Sequence, residues 1–143
     1  MVNIRDFSQS DIEALAELMG ELGYPTSIES MLKRMEAIES SSMNSTFVAE
    51  IDDKVVGMIG LLMNNNYEYD SMVMQIVSLV TRADHRGTGV GSALIKHAEE
   101  WATTHGASAM SLTSGIKPER VAAHEFYKNK GYYISGYRFS KKL

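Results

Sequence analysis

The stretch Arg86-Gly87-Thr88-Gly89-Val90-Gly91-Ser92 lies between an apolar run at residues 72–80 and a periodic, helix-like segment that starts at Ala93. A glycine-rich turn that opens a helix leaves several backbone N–H groups unpaired, and the helix dipole adds partial positive charge behind them. Such a turn binds phosphate or pyrophosphate. Glycine also lets the main chain approach a ligand closely and adopt positive φ angles. The stretch therefore predicts a strand–loop–helix unit that holds an anion.

Two familiar phosphate-binding patterns do not fit this loop. The nucleotide-triphosphatase pattern Gly-x-x-x-x-Gly-Lys-Ser/Thr requires a Lys-Ser or Lys-Thr pair, and no such pair follows these glycines. The dinucleotide pattern Gly-x-Gly-x-x-Gly/Ala requires an acidic residue about 20 positions on. Here Ser92 stands at the third glycine position, and residues 107–111 contain no acid. The spacing Arg-x-x-Gly-x-Gly leaves two interpretations, a third kind of anion loop and an ordinary glycine-rich turn.

Composition is that of a globular protein of one domain, residues 1–143, because hydrophobic residues make up 44% and charged residues 22%. No apolar stretch approaches the roughly 20 residues of a membrane span. Residues 1–6 show no apolar signal region. We therefore expect a cytoplasmic protein without a membrane partner.

Cysteine is absent, which excludes disulfides, thiolate metal sites and a cysteine acyl-enzyme. The net charge of −4 argues against a nucleic-acid partner and mildly favours cationic substrates. The histidines show no metal-ligand spacing on a shared face, so no metal is indicated. They are His85, His97, His105 and His124.

Patterns along the chain predict the element order β-α-α-β-β-β-α-β-α-β. The strands are expected at residues 2–7, 47–51, 55–62, 72–80, 109–112 and 132–139, and the helices at 9–22, from Thr26 onward, 89–105 and 118–130. Thr26 with Glu29 matches a capping box, and Asp52-Asp53 marks a hairpin. This order implies an α/β fold with one mixed sheet of about six strands, covered by about four helices in three layers.

Two motifs carry a resemblance to a known family. The loop spacing resembles the coenzyme-A pyrophosphate loop of the Gcn5-related N-acetyltransferases. The segment Phe126-Tyr127-x-x-x-Gly131-Tyr132 resembles the family's Phe-Tyr-x-x-x-Gly-Phe/Tyr helix. The order of elements is also similar, so the resemblance covers nearly the whole chain. Within the family, three stretches resemble the aminoalkylphosphonate N-acetyltransferases, namely residues 55–61, 123–127 and 137–141.

The resemblance implies that acetyl-CoA is the co-substrate, with its pantetheine between the 72–80 and 109–113 strands. Backbone groups of Leu79, Val80 and Thr81 then pair with the pantetheine amides, as an added strand does. A backbone N–H near Val80 or Thr81 stabilises the oxyanion. The pyrophosphate rests on the amides of Gly87, Thr88, Gly89, Val90, Gly91 and Ser92.

Two arginines have alternative roles by the same resemblance. Arg86 occupies the family's Arg/Gln position, where it contacts phosphate or braces the loop. Arg120 stands where relatives often carry an asparagine, and it pairs with phosphate or with an acidic acceptor.

Tyr127 is the predicted catalytic acid. A phenol with a pKa near 10 can protonate a departing thiolate whose conjugate acid has a pKa near 8.5. The alternative is an amphipathic residue at a helix–sheet boundary. Ser78 stands where many relatives place a basic glutamate. Either water carries the proton away past Ser78, or Glu68 or Asp70 accepts it.

The acceptor pocket is placed by resemblance at Glu21 and Tyr24, where a carboxylate beside a ring suits a primary ammonium group, although an ordinary turn is the alternative. We expect direct transfer of acetyl to the primary amine of a small molecule. The alternatives are acetylation of a protein N-terminus or lysine, and a non-catalytic acyl-CoA-binding module. Aromatic residues of the closing strand allow a homodimer; they are Tyr132, Tyr133 and Tyr137.

Overall fold

The computed structural model describes residues 1–143. Its central element is one five-stranded sheet, in which the strands lie side by side in the order that they have along the chain. The chain divides into two units, Met1–Ser111 and Leu112–Leu143. The strands are β1 (Asn3–Asp6), β2 (Asn44–Ile51), β3 (Lys54–Asn64), β4 (Met72–Thr81) and β5 (Ala107–Leu112).

Four α-helices accompany the sheet, and none is long and apolar enough to cross a membrane. They are α1 (Ile12–Glu21), α2 (Ile28–Glu39), α3 (Val90–Thr104) and, in the smaller unit, α4 (Val121–Asn129). Three short 3₁₀ turns occupy Gln9–Asp11, Ala83–His85 and Pro118–Arg120.

Strands β1 to β4 pair antiparallel with their neighbours. Strand β5 lies beside β4 at the end of the sheet. The β2–β3 hairpin turns through Asp52 and Asp53, whose φ angles of 51° and 63° are those of a type I′ turn. The start of β5 lies beside the start of β4, since the Ser108 hydroxyl contacts the Ser71 hydroxyl at 2.8 Å. Because α3 connects them, β5 is parallel to β4. The sheet is mixed, which confirms the predicted α/β class.

The two faces of the sheet are covered by different helices. Val48 and Met58 face α1 and α2, and the neighbouring residues Phe47 and Gly57 face α3, because successive strand residues point to opposite sides. The residues buried under α1 and α2 include Leu15, Leu18, Met31 and Met35. This three-layer arrangement agrees with the prediction.

Two predictions about local structure were wrong. Residues 132–139 are not a strand, so the sheet has five strands rather than about six. Their alternating apolar pattern is that of a strand, but a strand also requires a ladder of backbone hydrogen bonds, and the strand order of the sheet ends at β5. The cap of α2 is Ser27, whose hydroxyl accepts the Ser30 N–H at 3.1 Å. The helix therefore starts one residue later than the Thr26–Glu29 capping box requires.

A part-buried ion pair fixes the start of α1 to the sheet. Asp11 is 4% exposed, and both of its carboxylate oxygens accept N–H groups of Arg5 on β1, at 2.8 and 2.9 Å. The Ser8 N–H adds a third bond at 2.9 Å. The hydrogen bonds from Arg5 hold the pKa of Asp11 below its ordinary value, although burial opposes the shift. The carboxylate is thus a structural anchor between β1 and α1, and the sequence analysis did not identify it.

Replacing this carboxylate should destabilise the protein. We expect Asp11→Ala to lower the free energy of unfolding by about 2 kcal/mol, because the Ser8 N–H loses its partner and Arg5 keeps only Glu50 and the Asp6 carbonyl. Urea denaturation measures the change. The matched control is Glu13→Ala, because Glu13 is an exposed acid two residues further along the chain. This variant should change the free energy of unfolding by about 0.5 kcal/mol or less.

The Arg5–Asp11 pair also makes the stability of the folded protein depend on pH. Because the folded pKa of Asp11 is lowered, its stabilisation is present above the ordinary aspartate pKa of about 3.9 and is lost as the pH falls through the folded value. The stability gap between native protein and Asp11→Ala should therefore narrow below about pH 4. A gap that is constant down to acid pH would contradict the ion-pair interpretation.

Candidate functional site

A bulge interrupts β4 shortly before the loop. Gly60 of β3 pairs with Ser78, but the next residue, Leu61, pairs with Ile76, so Val77 has no partner and is 52% exposed. A bulge bends its strand and increases its twist, and bulges are common beside active sites. A Cβ at Gly60 would lie 3.4 Å from the Val77 side chain. The sequence analysis missed the bulge, although a glycine inside a strand pattern is its usual signal.

The predicted anion loop has the backbone of an open helix start. Gly87 and Gly89 have φ angles of 77° and 91°, and Gly89 is the N-cap of α3. The first helical hydrogen bond runs from the Ala93 N–H to the Gly89 carbonyl at 3.0 Å, so the amides of residues 90–92 lie outside that ladder. No side chain caps them, and no acid lies in the first turn. The positive end of α3 is therefore uncovered at an exposed loop.

Side chains hold the loop from within. The Arg86 Nε donates to the Thr81 carbonyl at 3.3 Å, which ties the loop to the end of β4. The Thr88 hydroxyl donates to the His85 carbonyl. The sequence position leaves two roles open to Arg86, contact with phosphate or bracing of the loop. The bond to Thr81 is a contact of the bracing kind.

A glycine of β3 determines how closely the first turn of α3 approaches the sheet. A Cβ at Gly57 would lie 2.9 Å from Val90 Cγ1, 3.0 Å from the Val80 carbonyl oxygen and 3.2 Å from Leu94 Cδ1. Val90 and Leu94 are 1% and 0% exposed. A methyl group at Gly57 would force the start of the helix to move outward. The sequence analysis did not identify Gly57 as part of this site.

Beside the loop, positively charged side chains outnumber negatively charged ones. Asp84 is the one acid between Thr81 and Ser92, and it contacts His85 at 2.9 Å and Arg82 at 3.3 Å. These hydrogen bonds, His85 first, lower the pKa of Asp84. The carboxylate is thus occupied by cationic or N–H partners, which reduces its repulsion of an anion at the loop.

The residues predicted to bind the acceptor are exposed and do not contact one another. Glu21 ends α1, Tyr24 is 70% exposed, and Glu68 lies in the loop between β3 and β4. Tyr67 and Tyr69, on either side of Glu68, are 107% and 73% exposed. The structure thus shows an acidic and aromatic loop whose tyrosines the sequence analysis did not single out.

In the smaller unit, Tyr127 lies on α4 between two aromatic neighbours. Its ring packs edge-on against Phe126 at 5.4 Å and Tyr132 at 6.2 Å, measured between centroids. Burial raises the pKa of the phenol, and the positive charge of Arg120 opposes that shift. The phenol is therefore protonated at neutral pH and able to donate its proton.

The segment before α4 is tied to the helix by two polar contacts. Arg120 Nη2 donates to the Ser114 hydroxyl at 3.4 Å, and His124 Nε2 lies 2.7 Å from the Gly115 carbonyl. His124 is therefore engaged with the backbone. No group of three or more His, Asp or Glu side chains in the structure is arranged to hold a metal ion.

Comparison with known proteins identifies the family of this chain. The sequence profile described as the acetyltransferase (GNAT) family matches residues 12–132. An aminoalkylphosphonate N-acetyltransferase of Salmonella typhimurium is 40% identical over 90 residues, which are 63% of this chain and 57% of that protein. An uncharacterised N-acetyltransferase of Bacillus subtilis is 32% identical over 127 residues, 88% of this chain and 87% of the other.

A solved structure agrees with these sequence matches. A GNAT family acetyltransferase of Staphylococcus aureus superposes with a TM-score of 0.86 at 27% identity, and the match covers 99% of this chain and 98% of that one. The chain spans little more than half of the Salmonella relative, so that protein's own substrate does not transfer directly. Profile, relatives and fold agree with the two motifs found in the sequence: this chain belongs to the GNAT acetyltransferase family and is an acyltransferase.

Proposed function

We propose that this protein transfers the acetyl group of acetyl-CoA directly to the primary amine of a small molecule. The observation that carries the proposal is the uncapped start of α3, where Gly87 and Gly89 leave backbone N–H groups exposed directly after the bulged strand. In a GNAT protein this is the expected place of the coenzyme pyrophosphate. Backbone amides and the helix dipole bind such an anion.

The proposal that pantetheine binds along β4 is supported by the length of β5. Ser108 lies beside Ser71 and Met72, and β5 ends four residues later at Leu112. Counted along two parallel strands, β5 reaches to about Ile76. The backbone of Leu79, Val80 and Thr81 therefore lies beyond the end of β5, where an extended ligand can take the position of a strand.

The reaction follows from these groups. The amine nitrogen attacks the thioester carbonyl, and a backbone N–H near Val80 or Thr81 stabilises the oxyanion. Collapse of the tetrahedral intermediate breaks the C–S bond, forms the amide and releases the thiolate, which takes the proton of Tyr127. Before the attack, the ammonium loses one proton to water near Ser78, to Glu68 or to Asp70. The nitrogen loses its second proton as the amide forms, and water carries that proton to the phenolate of Tyr127. The products are the acetamide and free coenzyme A.

The acceptor is proposed to be cationic and small. Glu21, Tyr24 and Glu68 are exposed acidic and aromatic side chains of the larger unit, and these attract an ammonium group by ion pairing and cation–π contact. The similarity to an aminoalkylphosphonate N-acetyltransferase favours a small amine over a protein N-terminus or lysine. The alternative is a non-catalytic acyl-CoA-binding module. The absence of a glutamate at Ser78 leaves that alternative open, and Tyr127 argues against it. A cytoplasmic location stays a prediction of the sequence.

A side chain at the helix cap should weaken coenzyme binding. Gly89→Val places a β-branched residue at a φ of 91° and holds the amides away from the ligand. We expect about 10- to 100-fold weaker binding of coenzyme A, the loss of a charge-assisted hydrogen bond, in titration calorimetry. Gly106→Val is the matched control, since Gly106 has a φ of 94° at the other end of the same helix. Equal losses in both variants would show backbone strain and not a binding site.

Glu21 tests the acceptor assignment. Glu21→Gln should raise the KM for a cationic amine about two- to fivefold, as expected for an exposed ion pair, and leave the KM for acetyl-CoA unchanged. Glu13→Gln, an exposed acid earlier in α1, should change neither constant. If Glu21→Gln changes both constants equally, or neither, Glu21 lies outside the acceptor site.

Tyr127 tests the leaving-group step. Tyr127→Phe keeps the ring and removes the proton donor, so kcat should fall by about 10²–10³ with nearly unchanged coenzyme affinity. The loss should shrink for an acyl donor with a more acidic thiol. Because burial raises the pKa of Tyr127, native kcat should decline only above about pH 10, and the variant should lack that decline.

Tyr132→Phe removes a phenol from the same ring cluster and is the control. It should keep kcat near the native value. Near-native kcat for Tyr127→Phe as well, at saturating amine, would return Tyr127 to a packing role. A native protein that binds coenzyme A tightly but acetylates no amine of a broad panel would support the non-catalytic module.

A further inference from the structure

Two hydroxyl side chains flank a glycine on the sheet face that carries α1 and α2. Thr46 of β2 pairs with Gly60 of β3, and Gly60 pairs with Ser78 of β4. Thr46 precedes Phe47, which faces α3, so its side chain points to the opposite face. A Cβ at Gly60 would lie 3.7 Å from the Ser78 Cβ, which places Ser78 on the side to which Gly60 would point. Residues paired across antiparallel strands share a face, so the two hydroxyls stand on either side of a residue without a side chain.

The Thr46 hydroxyl is buried without a partner in the chain. Thr46 is 7% exposed and is, with Asp11, one of the two polar or charged residues of the buried core. The Asp11 carboxylate is hydrogen-bonded. The Thr46 hydroxyl, by contrast, makes no hydrogen bond with any protein atom. Because native proteins satisfy nearly all buried polar groups with protein atoms or ordered water, the partner of Thr46 comes from outside the chain.

Gly60 leaves room for that partner. The atom nearest to a Cβ at Gly60 would be Val77 Cγ2 at 3.4 Å, so the space above the glycine is not filled by other side chains. Neighbouring strands are about 4.8 Å apart, so two strand spacings separate Thr46 from Ser78, too far for a direct hydrogen bond. This interval suits one or two waters, which in protein interiors bind otherwise unsatisfied polar groups. The bulge supplies an exit to solvent, because Val77 is 52% exposed.

We propose that Thr46 positions the water that accepts a proton from the substrate ammonium group. This inference rests on the proposed acetyl transfer and names the proton acceptor of its first step. An inner water, held by Thr46 above Gly60, is hydrogen-bonded to an outer water at the Ser78 hydroxyl. The outer water takes the proton as the N–H bond of the ammonium breaks and its own new O–H bond forms, and it passes that proton to bulk water at the exposed bulge. Thr46 contacts neither the amine nor acetyl-CoA in this arrangement, so it is a positioning residue.

The length of the hairpin favours water over the loop acids as the acceptor. Glu68 and Asp70 follow the end of β3, and the last residue of β3 in the pairing is Asn64. Asn64 is four residues along β3 from Gly60, which is about 13 Å in a strand. An acidic side chain does not span that distance to an ammonium group beside Ser78. Water at Ser78 needs no such reach.

Two variants of Thr46 separate the hydroxyl from the methyl group. Thr46→Val removes the hydroxyl and keeps the branched shape, whereas Thr46→Ser keeps the hydroxyl. At saturating acetyl-CoA and with the best primary amine of a panel, kcat at about pH 7 should fall about 10- to 100-fold in Thr46→Val and less than about threefold in Thr46→Ser. The loss in Thr46→Val should shrink toward about pH 9, because more of the amine then binds without its extra proton. A near-native kcat in Thr46→Val, or a loss that does not change with pH, overturns the proposal.

Stability distinguishes this role from a structural one. Because the Thr46 hydroxyl has no partner in the chain, Thr46→Val should leave the midpoint of urea denaturation unchanged or raise it. Ser45→Ala is the matched control, since Ser45 is the preceding residue of β2 and points to the opposite face. It should change neither kcat nor its pH dependence. A Thr46→Val protein that loses stability together with kcat, or an equal loss of kcat in Ser45→Ala, contradicts the positioning role.

A crystal structure of the native protein tests the water without any substrate. An ordered water should lie within about 3.2 Å of Thr46 Oγ1 on the side of Gly60, and it should be missing in Thr46→Val. If the Thr46 hydroxyl donates to a protein carbonyl instead, the inference fails even where acetylation is established. A native protein that acetylates no amine contradicts the proposed function itself, and the assignment of Thr46 to its first step fails with it.

Discussion

The close approach of α3 to the sheet at Gly57 is the contact on which the rest of the site depends. Val90 and Leu94 occupy the space that a side chain at Gly57 would fill, and the Val80 carbonyl closes the same space from β4. The helix start, the end of β4 and the glycine loop are thereby held within one rigid packing unit. A site built from main-chain groups needs this fixed spacing, because backbone amides have no rotamers with which to adjust to a ligand.

Two features change the direction of the backbone close to each other, namely the bulge at Val77 and the positive φ angles of the loop. The bulge bends β4 just before its last residues, and Gly87 and Gly89 turn the chain into α3. Most of the coenzyme recognition proposed for this chain therefore uses N–H and C=O groups and few side chains. This explains why only the glycines and their spacing are distinctive in the sequence.

The sequence predicted the features that local chemistry determines. The Asp52-Asp53 hairpin, the loop that opens α3, the end of that helix near residue 105 and the mixed sheet all follow from turn residues and periodicity. The bulge, the Gly57 contact and the Arg5–Asp11 pair depend on residues far apart in the chain, so no local pattern reveals them. Residues 132–139 have the alternating pattern of a strand, but strand formation also requires a partner strand, and sequence periodicity carries no information about that partner.

The uncapped start of α3 links the ligand to folding. Most helices satisfy their first amides with a Ser, Thr, Asp or Asn side chain, a contribution of about 1 kcal/mol, whereas Gly89 offers none. An anion bound there serves as the cap that the chain itself lacks. Since the unfolded chain has no such site, the proposed binding of coenzyme at about 100 times its dissociation constant would add about 2.7 kcal/mol to the stability of the folded state. The abundance and heat resistance of this protein would then follow the coenzyme supply around it.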